Sequence, residues 1–172
     1  MTADVTTTPG GASAADPVTG WADRLRSPAL LAAWGLYAAA GGHVVAALAH
    51  LSHGWRITVF FLVTAVVQVL VGGRVGRGVG DRGTGAVLAA TLGLVLLYVA
   101  SRTVNLPFGG VHTVHNDRPQ DPDLLGTLVV AAELLTLVAG QALLPARTRR
   151  VAVNAMLLVG AGLWGAWGLG VL

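Results

Sequence analysis

The run ALLAAWGLYAAAGGHVVAALAHLS, residues 29–52, carries no Asp, Glu, Lys or Arg. Crossing the hydrocarbon core of a bilayer takes about 20 predominantly apolar residues in a helix, and this run is long enough. Working outward from it, four more apolar runs follow at about 57–73, 84–104, 124–144 and 151–172. The whole chain is 54% apolar and only 11% charged, whereas a water-soluble domain has about 25% charged residues. Its solvent is therefore lipid over most of its surface. Backbone N–H and C=O groups in lipid must be satisfied within the segment, so each run is read as a helix. The expected fold is all-α: a polytopic membrane bundle of five transmembrane helices over residues 28–172. The second run is at the short edge of the spanning range, which predicts a nearly upright helix. Short connections predict that sequential helices are antiparallel neighbours.

Arginine sets the expected orientation. Every basic residue is Arg. Arg24 and Arg26 precede the first run, Arg74, Arg77 and Arg82 fill the second connection, and Arg147, Arg149 and Arg150 fill the fourth. The opposite side holds Arg56, Arg102 and Arg118, with Asp117, Asp121 and Asp123 beside them. The positive-inside rule puts the N-terminus in the cytoplasm and the C-terminus outside. Residues 1–27, rich in Thr, Ala, Gly, Asp and Pro, read as a disordered cytoplasmic segment. They lack a basic start followed by an apolar core, which argues against a cleavable signal peptide. Ser27-Pro28 supplies an N-cap and a favoured first helical residue. The all-Arg usage with abundant Ala, Gly and Val points to a bacterial genome rich in G and C, and so to a multi-pass protein of a bacterial plasma membrane.

Several chemistries are set aside by composition. The chain has no Cys, which removes disulfides, thiolate metal ligands and Cys nucleophiles. The Arg residues are scattered among apolar runs, so the positive balance reads as topology rather than nucleic-acid binding. GVGDRG, residues 78–83, matches a dinucleotide fingerprint. That motif needs a preceding strand, and here a membrane helix precedes it. No nucleotide is expected. Ser, His and acidic residues form no nucleophile–base constellation at matched depth, so the reading is against an enzyme.

Two ionisable residues lie deep in the apolar runs. His43 is ten residues inside His53, about 15 Å at helical rise. Ala39, Ala40, Ala46 and Ala47 surround it, with Gly42 adjacent. Glu133, the one glutamate, lies ten residues inside Asp123, again about 15 Å. Gly126, Thr136 and Gly140 share its face. Matched depth on small-residue faces predicts an intramembrane polar pair, His43 with Glu133. The pair would either fix helix register or exchange a proton. Arg102, ending the third run, is expected to snorkel outward, with a turn toward Glu133 or an anion as the alternative. Gln68, Gln141 and Asn154 could extend a polar pathway inward, or serve as interhelical glue.

The outer face gathers the remaining histidines. His50 and His53 lie beside Trp55, and the third connection holds His112, His115 and Asp117. Imidazole with carboxylate suits Zn²⁺ or Cu²⁺. Solvated surface histidines are the plainer account. Haem on His43 is less favoured, because the other runs offer no second axial His within one chain; a homodimer could supply it. The last run has Gly162, Gly165 and Gly168 at spacing three. That pattern suits close helix packing or a homo-oligomer seam.

The SRT-x-x-LP-x-G pattern at Ser101–Gly109 and HLSHGWR at 50–56 resemble stretches of small uncharacterised bacterial multi-span membrane proteins. The resemblance covers the middle of the chain and implies architecture, with no activity attached. Three functional classes remain. An accessory or structural component of a membrane assembly, in a homo-oligomer or larger complex, comes first. A small transport or proton-relay component using His43 and Glu133 comes second. A metal- or haem-binding redox protein comes third.

Overall fold

The structure is a computed structural model, and it describes residues 27–52, 55–103 and 123–169. The described residues form five α-helices and no strand: α1 (Pro28–Ala49), α2 (Trp55–Arg77), α3 (Asp81–Thr103), α4 (Leu124–Gln141) and α5 (Ala146–Gly168). The first four are long and apolar enough to cross a membrane. That coarse architecture is the one the apolar runs required. Residues 1–26 and most of the third connection lie outside the described residues.

Capping residues fix several helix ends. Ser27 stands at the N-cap of α1 with extended backbone, and its Oγ accepts a hydrogen bond from Leu30 N at 3.2 Å; Pro28 follows as the first helical residue. Asp123 caps α4 by accepting from Gly126 N at 2.6 Å. Gly78, at φ 95°, ends α2 in a left-handed conformation that only Gly adopts without strain. The glycine-rich GVGDRG stretch is therefore a helix stop followed by the start of α3 at Asp81. The second helix has 23 residues, longer than its apolar run. It continues through Arg74 and Arg77, whose charges complement the carbonyl end of the helix. The fourth ends at Gln141, earlier than its run, because Pro145 has no N–H to offer a continuing helix.

Spatial order departs from chain order. Helix α1 packs extensively on α2 and on α4, and α4 also packs on α3 and touches α5. Extensive packing between α2 and α3 is missing among the described residues, although their short link predicted neighbours. The reason is side-chain size. Gly35 on α1 comes so close to α4 that a Cβ there would meet Thr136 Oγ1 and lie 2.7 Å from the Ala132 carbonyl oxygen. Gly42 meets Val129 in the same seam. On the other side of α4, Gly126 receives the Tyr98 ring and Gly140 receives Leu88, both from α3. Small residues let backbones approach in lipid, where no water-driven hydrophobic force acts between helices. Helix α1 is thus central, with Ala32, Ala33, Leu36, Ala39, Ala40 and Ala47 all buried.

Helix α5 is more loosely attached. Ala152 and Met156 pack beside Leu137 and Leu144. Among the described residues, no atom beyond the immediate helix would contact a Cβ at Gly160, Gly162, Gly165 or Gly168. Its glycine face is therefore unused within the described residues of this chain.

Candidate functional site

Three helices converge on Glu133. It is 1% exposed, held in α4 one turn before Thr136, which is equally buried. His43 Nε2, from α1, lies 3.4 Å from Glu133 Oε1. Gln68 Nε2, from α2, donates to the same oxygen at 3.2 Å. Thr136 closes the floor of the site: its hydroxyl lies 3.1 Å from the Ala132 carbonyl oxygen and 3.4 Å from that of Ala32, across the helix seam. One carboxyl oxygen therefore meets polar groups from two neighbouring helices, the Gln68 amide donor and a His43 ring nitrogen whose role follows where the proton sits. Between them His43 and Glu133 can hold one proton and remain neutral overall, as neutral imidazole with carboxylic acid or as imidazolium with carboxylate. Overall neutrality lowers the cost of keeping such groups in lipid.

The pair continues outward through a ring stack. The Phe61 ring of α2 lies 5.7 Å from the His43 ring at an interplanar angle of 22°, and 5.3 Å from the His50 ring. His50, just past the end of α1, has Nδ1 at 2.8 Å from the Ala46 carbonyl oxygen. A carbonyl oxygen can only accept, so Nδ1–H is the donor there. The His50 carbonyl in turn accepts from the Thr58 hydroxyl at 3.2 Å. From the C-terminal end of α1 toward its middle, the order is His50, Phe61, His43, Glu133.

The other polar residues fall elsewhere. Arg102 forms an ion pair with Asp123 and lies over the Tyr98 ring at 5.0 Å. Its charge is thus met where the C-terminal end of α3 adjoins the N-cap of α4, at the Asp123 carboxylate. The Asp123 carboxyl is held below its ordinary range chiefly by the bond from the Gly126 N–H; the Arg102 guanidinium adds to this, and partial burial opposes it. Gln141 is half-buried at the last turn of α4, and Asn154 is exposed on α5. Neither reaches the Glu133 cluster; of the expected pathway residues, Gln68 alone does so. Asn154 stands apart because α5 meets α4 only along its Ala152–Met156 side.

For the external metal reading, His53, His112, His115 and Asp117 lie outside the described residues. Among the described residues, no group of three His, Asp or Glu side chains could hold a metal ion. His50, the described member of that set, makes the local backbone bond given above.

No protein-family model matches this chain, and neither a curated protein nor a solved structure matches it. The site must be read from its own chemistry.

Two features escaped the sequence reading. One is the direct Gln68–Glu133 bond: depth along α2 was legible, but which way Gln68 points around the helix was not. The other is the pairing of Arg102 with the α4 cap. A signal for the cap was present, since Asp123 immediately precedes an apolar run and is followed three residues later by Gly126.

Proposed function

We propose that this chain is an accessory or structural component of a membrane assembly, embedded as an integral membrane protein, whose polar junction sets helix packing. The carrying observation is position. The junction of His43, Gln68 and Glu133 lies in the most tightly packed part of the bundle, beside the Gly35–Thr136 and Gly42–Val129 contacts. Interhelical hydrogen bonds in membranes contribute about 1 kcal/mol each. Their larger effect is directional: His43 and Gln68 meet Glu133 only when α1, α2 and α4 each turn these faces toward the junction. The all-Arg usage with abundant Ala, Gly and Val supports a bacterial plasma membrane, and the Arg distribution supports an inside N-terminus with α5 as a fifth span.

A proton-relay role is the second reading. It is favoured by the order of His50, His43 and Glu133 along the depth of the bundle. Vesicle flux separates the two. Purified protein in liposomes containing a pH-sensitive dye, under an imposed pH gradient with valinomycin, should leak protons no faster than empty vesicles. Faster entry in the wild type that disappears in Glu133→Gln would replace the packing role with the relay. Thermal unfolding in detergent tests packing directly. Glu133→Gln should lower the midpoint by weakening the acceptor for His43. His43→Leu with Glu133→Leu would still strand the Gln68 amide, so the triple change including Gln68→Leu should recover more stability than the double.

A further inference from the structure

The Gln68 side chain is only half used. Its residue is 4% exposed, and its Nε2 donates to Glu133. Its Oε1 is buried with no hydrogen-bond partner among the described residues. An unsatisfied carbonyl costs about 1–3 kcal/mol in a protein interior, so a native structure leaves few of them. Rotating the amide by half a turn does not remove the difficulty. Oε1 would then face Glu133 Oε1, which works only if that oxygen carries a proton, and the Nε2 donor would occupy the orphan position. Either orientation leaves one end of the amide without a partner from the chain.

We propose that the junction binds a single buried water molecule at this orphaned end of Gln68. Water is the ligand that fits because it both donates and accepts. It satisfies Oε1 in one amide orientation and Nε2 in the other, whereas a cation could serve only the first. The flanking residues on the same face of α2, Ala65 at i−3 and Gly72 at i+4, are small and buried, so no long side chain of α2 itself crowds Gln68. From α1 the Tyr37 ring lies against Gly72, which leaves the Ala65 side the more open. Beside them an apolar groove of about 410 Å³ runs between α1 and α2, lined in part by Ala40, Ala65 and Val69. A buried water needs two to four polar partners. Gln68 supplies one. Both contacts given for the Glu133 carboxyl among the described residues fall on Oε1, which leaves Oε2 as the second. The bound water thus extends the His43–Glu133 pair toward α2, and the junction becomes a hydrated polar site inside the bundle. This holds whether the junction serves packing or relays a proton.

Nuclear Overhauser and rotating-frame transfer from water to the protein, recorded on ¹⁵N-labelled full-length protein in detergent micelles, provides the test. The Gln68 side-chain amide protons should show a cross-peak at the water frequency with the sign of a long-lived bound water. The backbone amide of Ala39, fully buried on α1, should show none. A resolved Gln68 amide signal without a water cross-peak would overturn the proposal. Thermal midpoints in NaCl and in choline chloride at equal ionic strength should agree. A sodium-specific rise in the wild type that vanishes in Gln68→Leu would also overturn it, because a cation would then occupy the site. The wild-type spectra decide the matter even if Gln68→Leu fails to fold.

Discussion

At Gly35 and Glu133 the same helix seam makes opposite demands: one position tolerates no side chain, the other holds the most polar one in the bundle. A Cβ on Gly35 would meet Thr136 Oγ1 and the Ala132 carbonyl oxygen, and the latter is backbone that cannot rotate away. Gly35→Val should therefore force α1 and α4 apart and, as overpacking does elsewhere, cost about 1–3 kcal/mol. Separation there would also lengthen the His43–Glu133 contact one to two turns away. Gly41 is the control. Nothing lies within 4 Å of a Cβ built there, and Gly in a helix interior is worse than Ala by about 0.5–1 kcal/mol. Gly41→Ala should raise the detergent unfolding midpoint while Gly35→Val lowers it. Equal shifts of one sign would show that helix propensity, and not the seam, decides stability at both positions.

Among the elements, α4 does most of the joining, and its start depends on Asp123. The carboxylate caps the helix through Gly126 N and pairs with Arg102 of α3. Its pKa in the folded protein is lowered from an ordinary 3.8. A lowered carboxyl contributes stability that is present above its unfolded value and is lost as pH falls through its folded value. Acidification below about pH 4 should thus weaken this end of α4. Asp123→Asn keeps an N-cap acceptor but removes the titration, so its stability should fall less steeply over the same interval. The wild type and Asp123→Asn, compared by far-ultraviolet circular dichroism from pH 6 to pH 2.5, would test this; superimposable curves would assign the acid transition to other carboxyls. How much was legible beforehand differs by feature. Helix existence was plain, because lipid leaves an uncharged run of this length little else to form. The depth of His43 and Glu133 was also plain, since it needs only the rise per residue. Which helices touch was not. Helices α1 to α4 are apolar nearly all round, so hydrophobic periodicity cannot point to the packed face. Gly126 and Gly140 illustrate this: read as one stripe with Thr136, they in fact seat α3 side chains while Thr136 faces α1.

For the whole molecule, α5 now decides the topology. The second run once looked the weakest span, yet α2 has 23 residues and is among the four helices able to cross. The burden passes to α5, whose first turn holds Arg147 and Arg149, with Arg150 next, and whose contact with the bundle is slight, through Ala152 and Met156 against the cluster of Leu88, Leu137 and Leu144. Those arginines anchor its start on the side where α2 ends, since α4 runs back toward the basic connections. With Arg74, Arg77 and Arg82 also there, the positive-inside rule predicts that side to be the cytoplasmic one. If α5 then crosses, Trp164, which is exposed, travels toward the opposite interface, where Trp is enriched. If it lies along the surface instead, the C-terminus stays with Arg150. Reporter fusions after Gly80 and after Leu172 distinguish these arrangements. The expected result is a cytoplasmic signal for the first and an external one for the second. Cytoplasmic signals from both would mean four spans, with α5 parallel to the membrane. Its face of Gly162, Gly165 and Gly168 would then be turned away from helix packing within the bilayer.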